Sequence, residues 1–240
     1  MKHLIHWLLA ALAASTPTAS PSSLKGPIFE IKNIPATAAT GNSFANFVSS
    51  QYNLDGPQLS SVNSSSWDWW YFDAISPDLR TSIVIVFYTA LPSGFAFLEP
   101  STDVTIVGIY ATFPNGTRSA IYLDAKEAVV STAEDGSSGT FKGTGAEWCG
   151  EPDMSFYRVT INAPASGVVG TFDLKSVAPA HYPCGPAGSG VNMLVGPNTG
   201  WSNAVPDAIG DVDFNIAGSS LAFTGVAYHD KVVSPFNLAC

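Results

Sequence analysis

After residue 66, hydrophobic runs of strand length alternate with short polar segments. The run 81–89 is β-branched or aromatic at most positions, which is typical of a central strand. Asn115-Gly116, Asp135-Gly136 and Gly218-Ser219 are dipeptides that favour tight turns between such runs. The remaining predicted strands are 104–113, 119–124, 139–148, 156–162, 168–176, 208–216 and 221–228. Strands at intervals of about ten residues, with no amphipathic helix, predict an all-β fold, an antiparallel β-sandwich or barrel.

The segment Trp67-Asp68-Trp69-Trp70-Tyr71-Phe72-Asp73 holds three of the six tryptophans. In a strand, alternate side chains point to opposite faces, so Trp67, Trp69, Tyr71 and Asp73 share one face. Asp68, Trp70 and Phe72 share the other. Both faces are aromatic and acidic, which predicts that the strand is covered on both sides. It is either a core strand whose acids bind neighbouring groups or the wall of an aromatic cavity with a polar anchor.

The N-terminus predicts secretion. Residues 1–20 have a basic start, a short apolar run and small residues, the pattern of a signal peptide cleaved between about residues 14 and 20. Residues 21–65 are rich in Pro, Ser, Thr and Ala and are expected to form an extended arm. Asn63 and Asn115 begin glycosylation sequons, and Cys149 and Cys184 are a candidate disulfide with Cys240 left over. We therefore expect a protein of the secretory pathway or the extracellular space.

Composition excludes several classes of function. The net charge is −9 with ten Lys and Arg residues, so nucleic acid and anionic membrane are not expected partners. The sequence has no nucleophile elbow, phosphate loop or dinucleotide fingerprint. Beyond residue 20 its histidines are His181 and His229, without metal-ligand spacing. We therefore expect no metal and no cofactor.

Three polar-aromatic segments lie in the second half of the chain. Residues 181–186 and 200–208 contain Pro and Gly and are predicted to be rigid turns. His229 and Asp230 follow a predicted strand and are either a structural pair or part of a site.

Five segments together resemble the fungal Diels-Alderase family, lipocalin-like pericyclases of secondary metabolism that are distantly similar to carotenoid hydratases. They follow in order from Trp67 to Lys231 and comprise residues 67–74, 175–179 with 181–186, 192–193, 200–208, and 223–225 with 228–231. The resemblance implies an N-terminal β-sandwich or barrel followed by a C-terminal lipocalin-like barrel, with the substrate near their junction. It also implies a [4+2] cyclisation, all-carbon or hetero, of a polyketide or terpenoid by a monomer without cofactor.

The end of the chain departs from this family. In the family, His-Asp-Lys is typically followed by Asn-Trp-Gly-Asp and a second barrel, whereas here residues 232–240 follow. We predict that this tail is translated intron, that 66–231 is the N-terminal barrel, and that the C-terminal barrel and part of the pocket are missing. Sequencing the transcript tests this, because a spliced message would lack those nine codons.

The site residues follow from the chemistry of cyclisation, in which the protein mainly folds a flexible substrate into its reactive shape. Trp69, Trp70 and Trp201 are expected to wall the cavity, and strand phase leaves Trp69 and Trp70 interchangeable. The other candidates are Asn192 for substrate binding and Asp68, Tyr71, Tyr88, His229 and Asp230 for polar catalytic contacts. Two alternatives stay open: a hydratase or isomerase with Asp68 or Asp230 as general acid, and a non-catalytic binder of apolar small molecules.

Overall fold

The computed structural model describes residues 28–96, 98 and 100–236, and within these the fold is all-β, as predicted. The predicted signal peptide and Cys240 lie outside the described residues. One short 3₁₀ helix, Pro164–Ser166, accompanies fifteen strands. The strands are β1 Ile28–Pro35, β2 Trp67–Ile75, β3 Ser82–Ala90, β4 Thr105–Thr112, β5 Arg118–Asp124, β6 Glu127–Ala133, β7 Gly136–Lys142, β8 Ala146–Gly150, β9 Phe156–Ala163, β10 Val168–Ser176, β11 His181–Tyr182, β12 Gly185–Pro186, β13 Leu194–Gly196, β14 Thr199–Ile216 and β15 Ser219–Ser234.

The strands form one antiparallel sheet in the order β1-β6-β7-β8-β9-β10-β14-β15-β2-β3-β4-β5. Outside this order, the small strands β11 and β13 pair with β14, and β12 pairs with β11. A single large core cluster draws side chains from both ends of this order, from Ile34 of β1 to Leu123 of β5. The sheet must therefore curl so that one face encloses the main core. Its other face carries a second, smaller cluster on β2, β3 and β4.

The predicted turns are confirmed. Gly116 has φ +82° between β4 and β5, and Gly218 has φ +81° between β14 and β15, a conformation that glycine adopts without strain. Residues 134 and 135 connect β6 to β7. Sequential hairpins of this kind explain why neighbouring runs in the sequence are mostly neighbours in the sheet.

Three strand predictions were wrong. The run 139–148 is two strands, because Gly143 (φ +90°) and Gly145 (φ +74°) make a turn inside it. Residues 200–208 are not a rigid turn but the first half of β14, which accommodates its Pro and Gly through register shifts between Asn203 and Ala208. Strands β1 and β6 were not predicted, and they pair with each other.

The arm supplies part of the core. After β1, residues 36–66 contain no strand, yet Leu54, Leu59 and Val62 are buried in the main cluster. The beginning of the predicted tail also belongs to the fold: Val232 to Ser234 continue β15 and pair with Trp67 to Trp69. Residues 237–240 lie outside the described residues, and the intron origin of the tail stays a prediction.

Two predicted modifications disagree with the structure. Cys149 and Cys184 are thiols and do not form the predicted disulfide: Cys149 lies on β8, and Cys184 lies in the β11–β12 turn, whose β11 pairs with β14. Three strand spacings of about 4.8 Å separate β8 from β14, whereas disulfide Cα atoms lie within about 7 Å.

Asn63 is buried, and its amide nitrogen donates to the Gly41 carbonyl, so it has no room for a glycan. Asn115 is exposed in its turn and stays a candidate. In the part of the chain that the structure describes, no helix has the length and apolarity to cross a membrane.

Candidate functional site

The two faces of β2 have different surroundings. Trp70 and Phe72 are fully buried in the main core, where Trp70 packs 5.0 Å from the ring of Trp148. Trp69 and Tyr71 point to the other face and are only partly buried. The strand phase therefore selects Trp69, and Trp70 is a core residue. The core-strand interpretation is confirmed for the face with Trp70 and Phe72, whereas the aromatic cavity on the face with Trp69 and Tyr71 stays a prediction.

We call the partly buried side the aromatic-acid face. It is defined by side chains that alternate along β14, β15 and β2 to β5 and meet at in-register positions. Its members are Trp67, Trp69, Tyr71, Asp73, Tyr88, Tyr110, Tyr122, Trp201, Tyr228 and Asp230. Several rings contact one another: Trp67 stacks on Trp69 with centroids 4.9 Å apart. Eight of its ten members are aromatic, and the other two, Asp73 and Asp230, carry carboxyl groups.

Asp230 is the polar centre of this face. Its Oδ2 accepts hydrogen bonds from Tyr228 Oη at 2.7 Å and from Trp201 Nε1 at 2.9 Å. Among the described residues, its Oδ1 accepts only a long hydrogen bond, from Trp69 Nε1 at 3.4 Å. Oδ2 is thus saturated, whereas Oδ1 retains capacity for a proton or a ligand contact.

The second carboxyl, Asp73, lies two residues from Tyr71, whose hydroxyl donates to Asp73 Oδ2 at 2.9 Å. Burial raises the pKa of both carboxyls above the ordinary value, and the negative charge of Asp230 raises the pKa of Asp73 further. Burial and Asp73 also raise the pKa of the Tyr71 hydroxyl. The face therefore favours protonated, hydrogen-bond-donating acids more than an open surface would.

Gly108 shapes the part of the face on β4. A Cβ atom there would lie 2.9 Å from Tyr110 Oη and 3.1 Å from Tyr88 Cε2. The missing side chain lets both phenol rings cover the strand. Tyr88 also meets Trp69 edge to face, with centroids 6.2 Å apart. These tyrosines form a wall beside the acids.

Asn203 occupies the strand position opposite Asp230. It is only 4% exposed, and its Oδ1 is a buried acceptor with no hydrogen-bond partner among the described residues. An unpaired buried acceptor costs free energy, about 1–3 kcal/mol, unless a ligand or water supplies a donor.

Behind β2, in the interior, Asp68 and Lys231 form a buried ion pair, and Lys231 Nζ lies 4.7 Å from the centre of the Trp70 ring. The backbone N–H of Gln58 donates to Asp68 Oδ2 at 3.3 Å. Burial raises the pKa of Asp68 and lowers that of Lys231, and each partner opposes the shift of the other. Asp68 therefore ties the arm to the barrel and does not reach the aromatic-acid face.

His229 also points inward. Its Nδ1 lies 2.9 Å from the Tyr71 carbonyl, which can only accept, so Nδ1 carries a hydrogen. Its Nε2 lies 3.0 Å from Asp55 Oδ1, and its ring stacks on Phe72 at 3.9 Å. Asp55 Oδ2 accepts from Ser137 and Tyr157, at 2.6 and 2.9 Å. His229 is thus part of a buried network that anchors the arm.

The structure brings together five of the predicted residues: Trp69, Tyr71, Tyr88, Trp201 and Asp230. Asp68, Trp70 and His229 are excluded from the face because they are on the opposite side of their strands. Asn192 is exposed in the loop before β13, where its side chain accepts from the N–H of Leu194 and its backbone pairs with Val48. It has no hydrogen bond to the Asp230 cluster.

Sequence reasoning missed Asp73, Tyr228 and Asn203 as members of the site. For the first two a signal existed, since Tyr71-Phe72-Asp73 and Tyr228-His229-Asp230 share the spacing Tyr-x-Asp. Asp55 and the buried pairing of Lys231 had no such signal, because both depend on how the arm packs.

A cavity of about 180 Å³ lies under the arm, lined by Lys32, Ile34, Leu59 and Asp68 among others. Sites for drug-sized ligands measure about 300–1,000 Å³. This cavity is therefore too small for a polyketide or terpenoid guest. The aromatic-acid face is the better candidate because most of its members are partly exposed, among them Trp69, Tyr71, Asp73, Trp201, Tyr228 and Asp230.

Comparisons with known proteins agree with this fold. A family model described as Diels-Alderase-like matches residues 29–238. The quinolone epoxide rearrangement protein asqO of Emericella nidulans is 37% identical over 193 residues, which cover 79% of this chain and 52% of that protein. The Diels-Alderase poxQ of Penicillium oxalicum is 25% identical, covering 93% of this chain and 53% of that protein.

Among solved structures, the crystal structure of CghA with Sch210972 superposes with a TM-score of 0.69 at 18% identity, covering 86% of this chain and 56% of that one. This similarity supports the lipocalin-like fold. The chain spans about half the length of the curated relatives it matches.

Proposed function

Because this chain belongs to the Diels-Alderase-like family, we propose that it is an isomerase that rearranges the epoxide of an apolar small molecule by acid catalysis on the aromatic-acid face. The observation that supports this proposal is the environment of the Asp230 carboxyl. This carboxyl is half-enclosed by indole and phenol groups, has a raised pKa, and keeps Oδ1 nearly free.

The proposed role of Asp230 is general acid. Protonation of the epoxide oxygen in the transition state weakens the C–O bond, and a catalytic acid contributes typically 10²–10⁴-fold to the rate. Positive charge then develops on carbon. The faces of Trp69 and Trp201 carry negative electrostatic potential, and a cation over such a ring gains about 0.5–2 kcal/mol. Asp230 therefore stabilises the developing charge on oxygen, and the indole rings stabilise the developing charge on carbon.

The sequence relative asqO supports this choice of reaction, since it is named a quinolone epoxide rearrangement protein. A quinolone offers a ring N–H donor or a carbonyl acceptor. The unpaired Oδ1 of Asn203, at the position opposite Asp230, would accept such a donor. We therefore propose a quinolone-type substrate, with the aromatic-acid face as one wall of its site.

The second candidate is [4+2] cyclisation, the activity named for the Diels-Alderase poxQ. The partly exposed indole rings of Trp69 and Trp201 favour it, because an apolar aromatic wall can hold a polyene in its reactive fold. In that case Asp230 would donate to a carbonyl of the dienophile instead of an epoxide oxygen.

The test is to incubate the chain with a quinolone carrying a terpenoid epoxide and to follow the products by chromatography and mass spectrometry. The proposal predicts that the wild type forms an isomer of unchanged mass. Asp230→Asn should form this isomer at least 100-fold more slowly. Asp213→Asn should form it at the normal rate, because this control removes an exposed acid of β14 that is not a member of the aromatic-acid face. No isomer from the epoxide, but a cyclised product from a linear triene, would replace the proposal by the second candidate.

A further inference from the structure

The cavity of about 180 Å³ under the arm has no part in the proposed reaction. It lies between β1 and arm residues of the segment 57–62, and the buried residues Asp68 of β2 and Thr89 of β3 also line it. For comparison, an apolar cavity of about 150 Å³ in another protein binds one benzene molecule. The cavity therefore has room for a single ring or a short branched chain with one small polar group.

Much of the cavity wall is apolar. Ile34 of β1 and Leu59 and Val62 of the arm line it, and all three are buried members of the main core cluster. Such side chains offer contact area but no hydrogen bonds. They therefore favour a ligand with an apolar body, because a wholly polar ligand would lose its hydration without compensation.

Lys32 supplies a hydrogen-bond donor at this wall. It precedes Ile34 by two residues on β1, so both side chains point to the same face of the strand, towards the core. The side chain of Lys32 lines the cavity and is half-buried, and its Nζ donates to the carbonyl of Leu59. An ammonium group has three N–H donors, so Lys32 can still donate to a ligand.

The charges around the cavity are not balanced. Asp68 is already paired with Lys231, and Lys32 forms no ion pair with any residue that the structure describes. Burial raises the pKa of Asp68, and the charges of Lys231 and Lys32 oppose that shift. Asp55 also acts on Lys231, but its Oδ1 lies 3.0 Å from His229 Nε2. Two ammonium groups thus share the single carboxylate of Asp68, which leaves one positive charge beside the cavity.

We propose that this cavity binds a small apolar carboxylate, a molecule about the size of benzoate. The carboxylate accepts hydrogen bonds from Lys32 Nζ, and the apolar body packs against Ile34, Leu59 and Val62. A monoanion matches the one unbalanced charge, whereas a dianion such as phosphate would need further cations and would find mainly apolar walls. The ligand joins β1 to the arm, and its binding does not depend on the reaction at the aromatic-acid face.

The experiment measures binding of three compounds of similar size to the full chain by isothermal titration calorimetry at pH 7.5. Benzoate is anionic, benzamide is neutral and benzylamine is cationic at this pH. We expect one benzoate per chain, at least about 10-fold weaker binding of benzamide, and no detectable binding of benzylamine, because a charge-assisted hydrogen bond is lost or replaced by repulsion.

Two lysine variants locate the site. Lys32→Met keeps most of the side-chain volume but removes the ammonium, so it should weaken benzoate binding at least about 10-fold and change benzamide binding by less than about 3-fold. Lys126→Met removes an exposed lysine that does not line the cavity and should leave both affinities unchanged. Benzoate at ten times its Kd should raise the unfolding temperature of the wild type by about 3–6 °C.

A readout on the wild type keeps the proposal testable if Lys32→Met does not fold. Nuclear Overhauser contacts between the ring protons of benzoate and the methyl groups of Leu59 and Val62 are expected, and contacts to the rings of Trp69 and Trp201 instead would overturn the proposal. Equal affinity for benzoate and benzamide, or unchanged benzoate binding in Lys32→Met, would also overturn it. If no compound binds, Lys32 is instead an inward-pointing charge of the edge strand β1, a feature that prevents edge-to-edge pairing with another chain.

Discussion

Replacing Lys231 by Met removes the cation of the buried pair with Asp68 while keeping most of the side-chain volume. Both side chains are nearly inaccessible, at 1% and 2% exposure, and Lys231 lies against the Trp70 ring. Methionine can occupy that apolar contact but cannot neutralise the carboxylate. The variant therefore tests the electrostatic part of the interaction.

The size of the stability loss follows from the burial of the Asp68–Lys231 pair. Two unit charges about 4 Å apart attract by about 4 kcal/mol at an effective dielectric constant of 20. Breaking a buried pair by removing one partner typically costs about 3–5 kcal/mol, because a buried charge is left uncompensated. Domains are stable by only about 5–15 kcal/mol. We therefore expect Lys231→Met to lose about 3–5 kcal/mol at pH 7.5.

The loss should depend on pH in a defined direction. Lys231 lowers the pKa of Asp68, so its removal raises the folded-state pKa further above the unfolded value of about 3.9. The folded variant then holds a proton that the unfolded chain releases. Its stability relative to the wild type falls as pH rises from about 4 towards the folded pKa, by up to about 1.4 kcal/mol per pH unit.

The assay is urea unfolding at pH 5.0 and 7.5, followed by tryptophan fluorescence and circular dichroism. The double variant Asp68→Asn/Lys231→Met should recover part of the loss and lack the pH dependence. Lys126→Met removes an exposed lysine and should change stability by less than about 0.5 kcal/mol. If Lys231→Met matches Lys126→Met at both pH values, the buried pair does not exist as described.

Two further predictions concern packing and modification. Gly108→Ala should cost about 1–3 kcal/mol in urea unfolding, because its Cβ would collide with the Tyr110 and Tyr88 rings; wild-type stability would refute that contact. In a secretory expression host, Asn115→Gln should remove any glycan that mass spectrometry detects, whereas Asn63→Gln should remove none, since Asn63 is buried. A glycan attached to Asn63 would contradict the structure.

Local pattern was enough to predict most strands, because residues such as those of β3 and β10 carry strand preference in their own composition. Local pattern failed where the pairing between strands determines which residues form a strand. Strand β1 is stabilised by its partner β6, and β14 continues through Pro206 because the register shifts there. The turn inside the run 139–148 depends on the positive φ angles of Gly143 and Gly145, and a glycine in the sequence does not by itself show that its φ angle is positive.

The site was predictable only up to strand phase. Alternation correctly separated Trp69 and Tyr71 from Trp70, but sequence alone gives no sign of which face is enclosed. The curl of the sheet determines which face is enclosed. This curl depends on contacts between residues that are far apart in the sequence, such as Asp55 and His229. The partners of Asp230 come from β2, β14 and β15, so its environment appears only when those strands are adjacent.

The most direct test of the account is the pKa of Asp230, measured in the intact chain by ¹³C NMR of the side-chain carboxyl, with Asp230→Asn to assign the signal. The account predicts a value above the ordinary pKa of 3.8, and a further rise in Trp201→Phe, because the indole donor favours the ionised form. A carboxyl that titrates at or below 3.8 would not serve as the proposed acid, and the central claim would be wrong.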